Sequence, residues 1–164
     1  MSNNYEIFYY GGILVAMKIK KITTNKKQYL SLLLLADEQE SMVDKYLDRG
    51  NMYVLFQDDT AISECVVTDE GNKILEIKNL ATNPDFQHQG YAQKIVEFIE
   101  QKYRGQFDIL QVGTGDSPLT LPFYEKIGFR VSGRKRNFFV DNYDHPIFEA
   151  GKQLVAMIYL QKRL

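Results

Sequence analysis

The chain has 164 residues, enough for one domain with its own core, and its 45% hydrophobic and 25% charged residues are ordinary for a soluble globular protein. Lysine and arginine total 20 against 21 aspartates and glutamates, a net charge of −1, which argues against nucleic acid or an anionic membrane surface as a partner. The single cysteine, Cys65, excludes an internal disulfide and fits a reducing cytoplasm, and no apolar run reaches the roughly 18 residues of a membrane helix.

The first sixteen residues, MSNNYEIFYYGGILVA, lack the basic region and cleavage site of a signal peptide. Met17 then opens the alternating stretch MKIKKI, so Met17 is read as the native start and residues 1–16 as an N-terminal extension, the alternative being an extra edge strand. Residues 17–164 contain no repeat or Pro/Gly/Ser-rich linker and are taken as one domain. KIKKI reads as a strand, and TNKKQYLSLLLLADE as a helix capped by Thr23, Thr24 or Asn25, with LSLLLL as its buried face. ESMVDKYLDRG reads as a second short helix, with Gly50 at C′. Three strands are expected at 52–57, 61–70 and 73–82, joined by turns at Asp58-Asp59 and Glu70-Gly71-Asn72, which makes an antiparallel meander.

The second half alternates differently. GYAQKIVEFIEQKYRG carries Ile95, Val96, Phe98 and Ile99 on one helical face and stops at Gly105. FDILQVG is a buried strand, SPLTLPFYEKIG a short helix with Ser117 as N-cap and Pro118 at N1, and FRVSG and QLVAMIYLQKR are further strands. The order is a mixed α/β (α+β) sheet with helices packed on it.

The loop NPDFQHQGYA, just ahead of the longest helix, can hold an anion without a basic residue. The first N–H groups of a helix have no internal partner, and its dipole places about half a positive charge there. Gly90 removes a Cβ that would block close approach, and Ala92 keeps the next turn small. A diphosphate gains from several such donors at once. A plain helix start after the Pro84 turn explains the same residues, while the glycine-rich fingerprints of nucleoside triphosphate and dinucleotide sites are missing.

Three stretches in order narrow the choice. Gln87, His88, Gln89, Gly90, Tyr91 and Ala92 fit the pattern [QR]-x-x-G-x-[GA]; NLATNPDF precedes them; FYEKIGF follows at 123–129. On these motifs the chain, over residues 17–164, resembles the GNAT superfamily of acetyl-CoA-dependent N-acetyltransferases. The resemblance implies a mostly antiparallel central sheet flanked by helices, with a splayed parallel strand pair that binds CoA. It implies acetyl-CoA as cosubstrate and no metal. The cofactor contacts carried over are Leu80, Ala81, Thr82, Gln87, His88, Gln89, Gly90, Tyr91, Ala92 and Gln93. The family often has an asparagine seven residues before its tyrosine; Ser117 stands there, beside Asp116, and both are taken as cofactor contacts, although Ser117 serves equally as an N-cap.

Two catalytic residues follow from the same resemblance. Glu76 lies eleven positions before Gln87, where several members have a glutamate that takes the amine's proton; an alkyl ammonium near pKa 10 needs such a base. Period two puts Ile74, Glu76, Lys78 and Leu80 on one face, so Glu76 and Lys78 also suit an ion pair. Tyr124 matches the tyrosine that protonates the departing thiolate, the bland reading being a core aromatic like Phe123.

For the acceptor, the resemblance points to the connection KRNFFVDNYDHPIFEAGK at 135–152 and to the loop near Asp37 and Glu38; Asp141, Tyr143 and Glu149 are taken as substrate contacts. Acids among aromatics suit a cationic amine. His88, His145 and Cys65 share no metal-ligand spacing, Cys65 reads as packing, and the GRKR at 133–136 as a solvated strand end. The expected function is therefore transfer of an acetyl group to a small-molecule or peptide amine in a ternary complex. A CoA-binding sensor without catalysis is the alternative, and a homodimer stays open.

Overall fold

The computed structural model describes the backbone of residues 5–10 and 12–164. The strands are β1 (Tyr5–Tyr10), β2 (Ile13–Ile22), β3 (Asn51–Gln57), β4 (Thr60–Asp69), β5 (Ile74–Thr82), β6 (Ile109–Gly115), β7 (Arg130–Lys135), β8 (Phe148–Glu149), β9 (Lys152–Gln153) and β10 (Met157–Arg163). The helices are α1 (Leu30–Ala36), α2 (Glu40–Val43), α3 (Tyr91–Tyr103), α4 (Thr120–Lys126) and α5 (Phe138–Asn142). One sheet runs in the order β1-β2-β3-β4-β5-β6-β10-β7, and β8 and β9 form a separate hairpin. Among the described strands, only β5 and β6 pair in parallel. This is the mixed, mostly antiparallel sheet flanked by helices that the motifs imply.

Of the stretch read as an extension, residues 1–4 and Gly11 lie outside the described residues. The rest enters the sheet: β2 runs unbroken through Met17 and pairs with β1, from Tyr5↔Lys18 to Tyr10↔Ile13. A strand therefore opens at Ile13, before the expected KIKKI.

Helices pack on both faces. Ile95, Val96, Ile99 and Tyr103 of α3 are buried against Cys65, Val67, Leu75, Ile77 and Leu110 of the sheet. On the other face Leu33, Val43 and Leu47 meet Met52, Val54 and Val66. The run LSLLLL does not bury throughout, because a helix turns its residues through every direction. Leu32 and Leu33 go inside while Leu35 is 48% exposed.

Two expected caps work differently. Asn25 sits at φ 47° and makes no side-chain cap; a 3-10 turn at Lys26–Tyr29 precedes α1, and Lys26 Nζ donates to the carbonyls of Leu47 (2.8 Å) and Gly50 (2.7 Å). Gly50 is not among the residues of positive φ. Its N–H donates to Tyr46 O at 2.9 Å, and a Cβ there would meet Val66 Cγ1 at 2.7 Å. Close packing, not left-handed backbone, requires that glycine.

The feature that shapes the site is a break in regularity. Val66 pairs with Asn79 and Val67 with Ile77, which leaves Lys78 as an extra residue in β5. Such a bulge shifts the alternation of faces. Glu76 stays on the α1 side, but Leu80 joins the cluster on the α3 side and Asn79 bonds to α1, so the expected single face from Ile74 to Leu80 is broken. Parallel pairing stops at Ile77↔Val112, three residues before the Leu80-Ala81 splay point expected from the sequence.

Candidate active site

Beyond Ile77, β5 keeps β4 on one side and has no strand on the other. The opening this creates is continued by the loop into α3. Asn83 Oδ1 accepts from Asp85 N (3.0 Å), and Gln87 Nε2 donates to Thr82 O (3.2 Å), which ties the loop to the strand end. His88 (φ 61°) and Gly90 (φ 86°) both take left-handed backbone, and no atom lies within 4 Å of a Cβ built on Gly90. The first turn of α3 therefore faces open space, with N–H groups that a helix cannot satisfy internally.

A cleft of about 560 Å³ lies there, lined by Leu80, Ala81, Thr82, Gln87, His88 and Gly90 together with Tyr91, Ala92 and Gln93. Those nine expected contacts come together; Gln89, Asp116 and Ser117 do not line the cleft. Asp116 instead pairs with Lys152 (3.3 Å), and buried Ser117 accepts from Leu119 N (3.1 Å) as a local turn ahead of α4, which starts two residues later than the N-cap reading required. Sequence reasoning missed Lys126, which brings a cation to the cleft wall from the last turn of α4. It sits inside the FYEKIGF motif, but only the docking of α4 beside the loop gives it a role.

A second cavity of about 290 Å³ adjoins on the other side of Tyr124. Leu80, Thr120 and Tyr124 belong to both walls. Tyr124 is 6% exposed, wedged edge-on against Phe123 and Phe129 at 5.0 and 5.5 Å between centroids. Thr114 and Thr120 join their hydroxyls at 2.8 Å and fix α4 to the end of β6. Burial, then the carboxylate and thiol neighbours, pushes the Tyr124 phenol up, so it holds its proton at working pH.

The second cavity draws on distant parts of the chain: Asp37 and Glu38 from the end of α1, Lys78 and Asn79 from the bulge, Tyr143 after α5, and Glu149 in β8. Tyr143 and Glu149 thus line it, whereas Asp141 is exposed and lies outside the wall. The connection at 135–152 is folded, with α5 and the β8–β9 hairpin holding Phe139, Ile147 and Leu154 as a small cluster over the cavity. Asp37 accepts from Tyr143 (2.7 Å) and Tyr46 (3.1 Å), and Asn79 Nδ2 donates to the Tyr46 hydroxyl (2.9 Å).

Glu76 is 6% exposed and lines a third cavity, about 210 Å³, that shares Asp37, Lys78 and Tyr143 with the second. Its Oε1 accepts from Lys78 Nζ (2.9 Å) and its Oε2 from Gln111 Nε2 (2.7 Å). Lys78 also pairs with Glu70 (2.8 Å); burial raises that carboxyl, but Lys78, Arg49 and the Thr68 hydroxyl outweigh it and bring it down to about 2. Cys65 is fully buried, and burial raises its thiol pKa well above the usual range, which suits packing.

Residues 48–131 match the family model described as the acetyltransferase (GNAT) domain. The chain is 35% identical over 139 residues to YvbK, an uncharacterised N-acetyltransferase of Bacillus subtilis, covering 84% of this chain and 89% of that one. Its fold superposes on a GNAT family acetyltransferase of Elizabethkingia anophelis with acetyl-CoA bound (TM-score 0.85, 33% identity, 90% of this chain and 98% of that one). It superposes equally on a Bacillus subtilis acetyltransferase in complex with CoA (TM-score 0.82, 32% identity, 90% and 99%). The chain belongs to the GNAT family of N-acetyltransferases. It is an acyltransferase by that membership.

Proposed function

We propose that the protein transfers the acetyl group of acetyl-CoA to a cationic primary amine by direct attack in a ternary complex, with residues 17–164 as the catalytic domain. The observation that carries this reading is the junction of two cavities at Tyr124. A thioester arm laid along the 560 Å³ cleft ends where the acidic cavity begins.

The relatives solved with acetyl-CoA or CoA support the cleft as the cosubstrate's place. The cleft fits on its own terms: the N-terminal turn of α3 and Lys126 suit a diphosphate, and the flank of β5 beyond Ile77 suits a pantetheine arm. Acetyl-CoA supplies an activated acyl carbon. N–H groups on the free flank of β5 polarise the carbonyl, an effect worth roughly 3–4 kcal/mol for a well-placed donor. Tyr124 then gives its proton to the sulfur.

On the acceptor side, Asp37, Glu38 and Glu149 supply negative charge, and Phe139 and Tyr143 stack at 5.5 Å beside them. This suits an ammonium group that needs both charge and an aromatic wall. A carboxylate must receive its proton. Glu76, expected in that role, is bonded to Lys78 and Gln111 and lines the adjoining third cavity, away from Tyr124.

The test is acetyl transfer from acetyl-CoA across monoamines, polyamines, amino acids and peptide N-termini, alongside thermal shift with CoA. Transfer to at least one class is expected. Stabilisation by CoA with no transfer to any amine would favour the sensor reading instead.

A further inference from the structure

The acetyltransferase reading leaves open which carboxylate frees the amine, and the side chains around the acidic cavity answer it. An alkyl ammonium near pKa 10 must lose a proton before its nitrogen can attack. Glu76 is ion-paired with Lys78 (2.9 Å) and is absent from the wall that contains Tyr124. Glu38 stands beside His145 (3.7 Å) at the surface. Asp37 differs from both. It lines the cavity of Tyr124 and also the adjoining third cavity.

Its setting is built from four parts of the chain. Asp37 caps α1, its N–H donating to Leu33 O (3.1 Å). Tyr143, after α5, bonds Oδ1, and Tyr46, after α2, bonds Oδ2. Asn79 at the bulge of β5 holds both Tyr46 and the Leu33 carbonyl (2.9 Å each). A carboxylate has about four lone-pair positions, so the two tyrosine donors and the nearby Gln39 N–H fix its plane and still leave a position for a ligand.

We propose that Asp37 is the carboxylate that receives the acceptor's ammonium group and takes a proton from it, held in position by Tyr46 and Tyr143. This rests on the acetyltransferase reading above. In the step, one ammonium N–H becomes the Asp37 O–H, and the freed nitrogen pair bonds the thioester carbon. The C–S bond breaks, the sulfur takes the Tyr124 proton, and the tyrosine recovers one from the nitrogen as the amide forms. Asp37 returns its proton to solvent, so an ammonium and a thioester give an amide, a thiol and one proton.

The charge environment favours a base. Burial raises the Asp37 pKa above the ordinary aspartate value, the two tyrosine hydroxyls draw it partly back, and Glu38 adds to the rise. Lys78 and Glu149 face the same cavity, while Lys45, Arg49 and Glu76 line the next one. Removing a tyrosine hydroxyl therefore moves the Asp37 titration upward.

The experiment is the pH profile of kcat/KM, on whichever amine the wild type acetylates, for Asp37→Asn, Tyr143→Phe and Glu76→Gln. Carboxyl 13C NMR of aspartate-labelled protein runs beside it. Asp37→Asn is expected to lower kcat/KM by about 10²-fold and to remove the acid limb, with acetyl-CoA affinity kept. Tyr143→Phe should move the acid limb to higher pH, together with the one aspartate signal that titrates above its class. Full wild-type kinetics in Asp37→Asn, or an acid limb that follows Glu76→Gln alone, overturns the proposal and leaves the acetyltransferase reading standing. A wild type that binds acetyl-CoA and acetylates no amine overturns both.

Discussion

The two halves of the site are made of different material. The cleft proposed for CoA is largely backbone: a strand flank beyond Ile77, two left-handed residues and a helix N-terminus. The cavity proposed for the acceptor is largely side chain, a carboxylate and two tyrosines brought from residues 37, 46 and 143. Backbone donors come with any sequence that keeps the local conformation, so the first half depends less on side-chain chemistry, apart from the Gln87 tie to Thr82 and the left-handed His88. The second half depends on each functional group, and carries the cost of placing polar groups in the interior. Glu64 is 0% exposed with neither carboxylate oxygen hydrogen-bonded, and Asn79 Oδ1, on the same face of the sheet, also has no partner.

This contrast is open to attack from both sides. Gly90→Val strikes the backbone half, since φ 86° is hostile to a branched residue. Losing two N–H bonds to a charged group, at about 1.5–3 kcal/mol each, should weaken CoA binding by on the order of 10²-fold or more in calorimetry. CoA affinity that survives the substitution would remove the loop from the site. Tyr124→Phe strikes the junction: kcat should drop about 10²-fold, as for loss of a general acid, with acetyl-CoA Kd nearly constant. A Kd that collapses instead would make the ring a packing element.

Glu64→Gln probes the cost of the side-chain half. Burial holds the Glu64 pKa well above its ordinary value, and the Ala81 N–H, which approaches without hydrogen-bond geometry, offsets it only in part. The folded protein thus keeps a proton that the unfolded chain loses near pH 4.3, and wild-type stability falls as pH rises above that point. Glu64→Gln should be more stable than wild type at pH 8 by about 1–3 kcal/mol, the penalty of an unsatisfied buried group, with the gap closing toward pH 4 in urea melts. A gap that does not change with pH would show that the carboxyl finds a partner. Lys126→Ala, at the exposed edge of the cleft, should raise the KM for acetyl-CoA only about three- to tenfold, and less at high salt. A salt-independent effect would assign Lys126 to structure.

What was legible follows the same division. The meander, α3 and the motif from Gln87 to Ala92 could be read because their signals are local: hydrophobic period, turn residues and a glycine before a helix. Nine of the twelve expected cofactor contacts share one cleft for that reason. Ser117 and Asp116 do not, because a cap and a surface ion pair leave the same sequence trace as a ligand contact. Asp141 was chosen with Tyr143 from a stretch read as loop; α5 turns the one outward and the next segment brings the other in. Leu80 changed face because a single-residue bulge has no signature in the period of β5.

The amino-acid sequence by itself determined the sheet-and-helix order, the phosphate-type loop and the tyrosine of the second motif, since each depends on neighbours within about one helical turn or one strand. Only the tertiary structure decided that pairing between β5 and β6 stops at Ile77, that Glu76 is held by Gln111 from the next strand, and that Asp37 meets Tyr143 across 106 positions of chain. Those facts arise from register and from the docking of elements far apart in sequence, and a side chain's chemistry is set by whatever that docking places against it.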